Sequence, residues 1–150
     1  MNFEKMSFVI RWFVLTWGCF VVSKNDAEKY FIPDSVLIFV AVVLMGTDIF
    51  LCTERIFILI LFIFLMLFIL LSVFFVSGGI GGGDIKLICL LTYGTGFFAT
   101  VAGLFFACIS ALVFCFIKKE LCGEKVKRVP FAPFVSASVL LCSLFIKEAA

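Results

Sequence analysis

The sequence predicts an all-α, polytopic integral membrane protein with about six transmembrane helices and its N-terminus outside. Three observations carry that expectation. Of 150 residues, 65% are hydrophobic and only 15% charged, with a mean hydropathy of +1.31. A soluble domain carries about 25% charged residues and is about half apolar. The apolar residues gather in runs at about 6–23, 35–53, 56–76, 85–96, 97–117 and 131–147, most of them near the roughly 20 residues that cross a hydrocarbon core. Nearly all the charge lies between the runs, at Lys24 to Asp34, Glu54-Arg55, Asp84 and Lys118 to Arg128. Backbone polar groups in lipid must be satisfied within their own segment, so the runs are helices.

The first run contains Arg11 and ends in Ser23-Lys24-Asn25 with no small-x-small cleavage site, so it is expected to be a retained span. The second opens after Pro33, with Asp34 suited to cap it. The stretch Ile85 to Ile117 is either one long helix or two short ones broken near Tyr93-Gly94-Thr95-Gly96. Charge topology selects two. Six spans put Lys24, Lys29, Lys86, Lys118, Lys119, Lys125, Lys127 and Arg128 on one side, and Lys5, Arg11, Arg55 and Lys147 on the other. The richer side should be cytoplasmic. Five spans would separate the basic loop 118–128 from Lys24, Lys29 and Lys86. The two helices are short and must accommodate mismatch. In the fifth run Ala99, Gly103, Ala107 and Ala111 recur every fourth residue, a small-residue stripe that lets helices approach closely in lipid. The length admits one membrane-embedded domain over 1–150.

Several function classes drop out. A net charge of +2 offers no electrostatic footprint for nucleic acid. Of seven cysteines, Cys122 alone falls in a polar loop; there is no C-x-x-C pair and no histidine. Neither a zinc ligand set nor a metal or cofactor is expected, and the cysteines read as packing residues. Without histidine, Ser-His and Cys-His nucleophile chemistry is excluded.

Ionisable residues at membrane depth are expensive and tend to be functional. Asp26, Asp34, Asp48, Glu54 and Asp84 are the candidates by position. In the six-span arrangement Asp26 lies in the first loop and Asp84 in the third, on the same side, with Asp48 and Glu54 at the opposite edge. Two carboxylates sharing a partly dry site cannot both ionise easily. Such a pair can activate a water, one partner taking its proton while the other donates to a scissile carbonyl. The pair titrates as a unit, so neither residue receives a fixed role from sequence. Ahead of Asp84 the chain reads Gly78-Gly79-Ile80-Gly81-Gly82-Gly83. A loop without side chains leaves room for an extended peptide, and Gly81, Gly82 and Gly83 are the expected substrate-binding residues. A flexible turn is the plainer alternative, and a phosphate loop is disfavoured because no G-K-[ST] follows.

Gly81-Gly82-Gly83-Asp84 fits the G-x-G-D motif of intramembrane aspartyl proteases. The longer string Gly-Gly-Ile-Gly-Gly-Gly-Asp-Ile-Lys-Leu resembles the version in the type IV prepilin peptidase family. Asp26 stands six positions before Ile32-Pro33, as that family's first aspartate does. Val129-Pro130-Phe131-Ala132-Pro133-Phe134 is similar to the signature opening its last span. The resemblance runs from about 24 to 147 and implies that Asp26 and Asp84 are the catalytic pair. It also implies cleavage of basic leader peptides from prepilin-like (type IV or Flp pilin, or preflagellin-type) precursors at the cytoplasmic face of the inner membrane. The cysteine-rich insert of larger members is missing, so the chain resembles the short members and no methyltransferase activity is expected. The presenilin group shares G-x-G-D, but its Tyr-Asp and Pro-Ala-Leu partners are absent. Lys86 reads as an interfacial anchor, with a role in orienting Asp84 as the alternative. Lys118 to Arg128 reads as an orientation signal touching anionic lipid. Glu28, Glu120 and Glu124 read equally as a solvated face or as attractors of a basic leader. The competing function class is a non-enzymatic membrane subunit or transporter using Asp26 and Asp84 as an ion or proton relay.

Overall fold

A computed structural model describes residues 3–50, 60, 63–71, 81–122 and 129–148. Among these the chain is all-helical: α1 (Phe3–Lys29), α2 (Asp34–Phe50), α3 (residues 63–71), α4 (Gly82–Thr95), α5 (Phe97–Cys122) and α6 (Ala132–Glu148). The remainder of the third apolar run, Glu54, Cys52 and the basic stretch 123–128 lie outside the described residues.

Helix α1 continues past the first apolar run through Lys29. Nothing in Lys24 to Lys29 breaks a helix, and Ala27, Glu28 and Lys29 favour one. It stops at Tyr30, which takes a positive φ of 50°, three residues ahead of Pro33. One face of α1 is buried from Leu15 onward, at Leu15, Cys19, Val22 and Asp26, at spacings that keep one helical stripe against its neighbours. α1 packs on α2, α4 and α6, and the most extensive helix pair is α5 with α6.

The stretch from Ile85 to Ile117 is two helices, divided where the charge pattern divides it. Gly96 adopts a φ of +96°, open to glycine and strained for other residues. Its amide donates to the Thr92 carbonyl at 3.0 Å, and Thr100 returns an N–H to the Gly96 carbonyl at 3.1 Å. The hydroxyls of Thr92, Thr95 and Thr100 bond to the carbonyls of Ile88, Leu91 and Gly96. Such satisfaction is what an apolar environment demands of a broken helix.

Helix α5 is apolar over Phe97–Glu120, 24 residues, and only 17% of its most apolar stretch is buried. At 1.5 Å per residue it reaches about 36 Å, enough for a hydrocarbon core of roughly 30 Å. Among the described residues it is the one helix both long and apolar enough to span; Asp34–Thr47 and Ala132–Ile146 are shorter apolar helices. Phe13, Phe20, Phe64, Phe68, Phe98, Phe105 and Phe145 all point outward. An apolar exterior on this scale belongs against lipid.

The small-residue stripe does what its spacing predicts. Ala99, Gly103 and Ala107 are buried, and a Cβ at Gly103 would lie 2.5 Å from the Val139 Cα of α6. A backbone atom cannot step aside cheaply, so Gly103→Ala should destabilise the protein by about 1–3 kcal/mol. Gly46→Ala, where an added Cβ meets nothing within 4 Å, should be neutral or stabilise by up to about 1 kcal/mol. Thermal unfolding of the two variants in detergent reads the contrast.

Candidate active site

Four helix termini meet at one end of the bundle: the C-terminus of α1 and the N-termini of α2, α4 and α6. Phe114, near the end of α5, stacks obliquely on Phe134 of α6 with centroids 5.5 Å apart, so the end of α5 joins them. The α4–α5 break at Gly96 lies at the other end of α4.

Asp26 sits in the last turn of α1, on the helix and not in a loop as the sequence suggested. Its side chain is 7% exposed. The reason for its burial is its place on the Leu15-Cys19-Val22 stripe once the helix runs on to Lys29. One carboxylate oxygen, Oδ2, accepts the backbone N–H of Ala132 at 3.0 Å. Ala132 is the first residue of α6, where amides lack intrahelical partners and the helix dipole favours an anion. Pro133, next in line, has no N–H to satisfy. A second tie lies one turn away. Ser136 Oγ donates to the Ala132 carbonyl at 2.6 Å and sits 2.8 Å from Ser23 Oγ, which is left to donate to it. α6 thus begins against the end of α1 through main chain and side chains together. Ser23, Ala132 and Ser136 were not singled out from sequence. The Pro130 and Pro133 pair marking a helix start was the available signal.

Asp84 lies in the first turn of α4, again on a helix. Its carboxyl is held above the ordinary carboxylate range, first by burial and then by the charge of Asp26, while the main chain of Gly81 pulls the other way. The two aspartates that topology put on one side thus come to the same end of the bundle, with Gly83 beside Ile32 of the α1–α2 connection. Asp34, the first residue of α2, is drawn off by Lys86, whose Nζ bonds both carboxylate oxygens at 2.8 Å. The start of α2 is closed instead by the Pro33 carbonyl, which accepts from Val36 at 3.2 Å. Asp48 is in the last turn of α2, at the far end of that helix. Among the described residues no group of three His, Cys, Asp or Glu side chains clusters as a metal site would.

The three glycines before Asp84 have different surroundings. A Cβ at Gly81 would come within 3.1 Å of Asp84 Oδ2, and one at Gly83 within 3.1 Å of Ile32 Cβ. At Gly82 it would meet nothing within 4 Å. The G-x-G-D spacing thus has a packing account: the first glycine makes room for the carboxylate, the second for the Ile32-Pro33 connection, and the middle position is free. Gly81 and Gly82 are exposed beside the carboxyl, whereas Gly83 faces into the protein.

Among the described residues the chain is all-helical with an apolar exterior, and it brings Asp26 and Asp84 to one end of the bundle. It belongs to the type IV leader peptidase family, whose profile matches residues 13–116, well over half of the chain, and takes in both Asp26 and Asp84. No characterised relative and no solved structure matches it. Membership makes the protein a type IV leader peptidase-like protease.

Two measurements test the geometry. Gly83→Ala should lower peptidase activity by about 10- to 100-fold through displacement of the Asp84 turn, whereas Gly82→Ala, whose added Cβ meets nothing within 4 Å, should leave the folded protein's thermal stability close to wild type. The second concerns stability. Because the Asp84 pKa is raised on folding, the folded chain keeps a proton that the unfolded chain loses near pH 4. Stability from this group is complete below that pH and is lost as pH rises through the raised folded value. Asp84→Asn removes the penalty, so its thermal stability relative to wild type should increase with pH across that window.

Proposed function

We propose that the protein is a membrane aspartyl endopeptidase that removes leader peptides from prepilin-like precursors at the cytoplasmic face of the membrane. Asp26 and Asp84 are its catalytic pair, within a single domain spanning the chain. The observation that carries the proposal is the convergence of the α1 end bearing Asp26 with the α4 start bearing Asp84, where Gly83 packs on Ile32, in a chain of the leader peptidase family.

The surroundings of the two carboxyls divide the work. Asp26 already accepts a backbone N–H, a bond made by an oxygen lone pair. Asp84, with its raised pKa, is the partner that holds the shared proton. Asp26 takes a proton from water as the water oxygen adds to the scissile carbonyl carbon, and Asp84 protonates the carbonyl oxygen. On collapse of the gem-diol, Asp26 delivers its proton to the leaving amine and Asp84 recovers one from a hydroxyl. Both carboxyls return to their starting states. The exposed surface at Gly81 and Gly82 gives an extended substrate backbone access to the pair.

The six helices are proposed to cross the membrane with the N-terminus outside. Supporting this, the ends that carry Asp26, Asp34, Asp84 and Lys86 converge, and the α5 end bearing Lys118 and Lys119 lies with them. The lysines at or near these ends, Lys24, Lys29, Lys86, Lys118 and Lys119, all belong to the side that the charge rule assigns to the cytoplasm. The substrate is a prepilin, Flp-type pilin or preflagellin-like protein, and lipid is the surrounding partner.

Co-expression with a prepilin-like substrate tests the proposal. Asp26→Asn and Asp84→Asn should each lower leader cleavage by about 10²- to 10⁴-fold. Processing that survives both substitutions, with proton or cation flux altered instead, would support the relay class in place of the peptidase.

A further inference from the structure

The turn bearing Asp84 touches α2 and its approach at two points. Gly83 is pressed on Ile32, with an added Cβ falling 3.1 Å from the Ile32 Cβ, and Lys86 Nζ holds both oxygens of Asp34 at 2.8 Å. Further along, α2 and α4 stay neighbours, with Leu37 sharing a buried cluster with Ile85 and Ile88. A cavity of about 490 Å³ opens beside them, walled by Leu37 and Met45 of α2, Ile63 and Leu67 of α3, and Cys89 and Tyr93 of α4. Both members of the ion pair line its rim.

We propose that the Lys86–Asp34 ion pair is a positioning latch that holds the first turn of α4, and with it Asp84, in register with Asp26. Taking the peptidase function proposed above as its basis, the latch sets the geometry on which catalysis depends. Three features support a mechanical role. The contact is bidentate, with one ammonium against two oxygens. It joins the first turn of α4 to the first residue of α2, so little chain lies between the bond and the carboxyl it would place. Among the described residues, Asp26 is the charged side chain that acts on Asp84. Lys86 is itself engaged by both oxygens of Asp34. Asp26 is held independently from α6. The α1–α2 connection therefore stands between two anchored carboxyls, and the ion pair is the polar tie on the Asp84 side.

Two readouts on the full-length membrane protein test the latch. In prepilin cleavage, Lys86→Met and Asp34→Asn should each lower kcat by about 10- to 100-fold with KM unchanged, and the charge-swapped pair Lys86→Asp with Asp34→Lys should recover most of the loss. The second readout needs no activity. In a chain with its seven native cysteines replaced by alanine, Asp26→Cys and Asp84→Cys are joined by a short thiol-reactive cross-linker. The cross-linking yield should fall on adding Lys86→Met and return in the swapped pair. Wild-type cleavage with neither readout moved by Lys86→Met would overturn the latch and leave the peptidase standing, as would a swap that restores neither. Absence of cleavage in the wild type, with a cross-linking yield that still follows Lys86, would overturn the peptidase and uphold the latch.

Discussion

A buried carboxylate needs a partner, and the architecture is organised around supplying one to Asp26. In an apolar bundle an unpaired aspartate would be strongly unfavourable. The first amide of α6 meets that need at 3.0 Å, and the same bond satisfies an amide that no turn of helix could reach. Each group answers the other's deficiency. The bond joins residues 106 positions apart, so the aspartate can be buried only when the last helix has been brought back to the end of the first. The Ser23–Ser136 hydroxyl pair ties the same two helices one turn further in.

Once α1 and α6 are joined, the remaining helices are placed by close approach of small residues. Gly103 lets α5 lie directly on the backbone of α6 at Val139, and Gly94 faces Leu15 so that α4 can settle against α1. In lipid, where apolar side chains gain little by leaving their surroundings, such approach is a main source of helix association. The outcome is a second acid carried into the field of the first. The Asp84 carboxyl holds its proton more firmly than usual, first because it is partly buried and then because ionising it would put a second negative charge near Asp26. A site that makes one proton difficult to remove has an acid and a base available at one pH.

Much of this was legible in the linear chain. The apolar runs, the break near Gly96, the packing stripe at Ala99, Gly103 and Ala107, and the placement of Asp26 and Asp84 on one side all follow from spacing and charge. The family resemblance rested on three short strings in order, two of which lie inside the matched residues 13–116. What was misplaced was local. Asp26 and Asp84 were assigned to loops because charged, glycine-containing stretches read as interruptions, while the structure carries both on helices. The extension of α1 could have been read by continuing its 3.6-residue stripe from Val22 to Asp26. The separate duties of Gly81, Gly82 and Gly83 could not, since a glycine's neighbours are not written beside it.

Sequence by itself determined that the chain is helical and strongly apolar, and which acids are the candidates for its chemistry. Hydropathy, the lack of histidine and the distribution of lysine and arginine are additive along the chain and can be summed without knowing its shape. The tertiary structure alone decided which amide holds Asp26, which glycine makes room for which neighbour, and that Asp34 answers Lys86 instead of joining the aspartate pair. These are contacts between distant segments. Their geometry depends on how helices pack in three dimensions, which no local pattern of residues records.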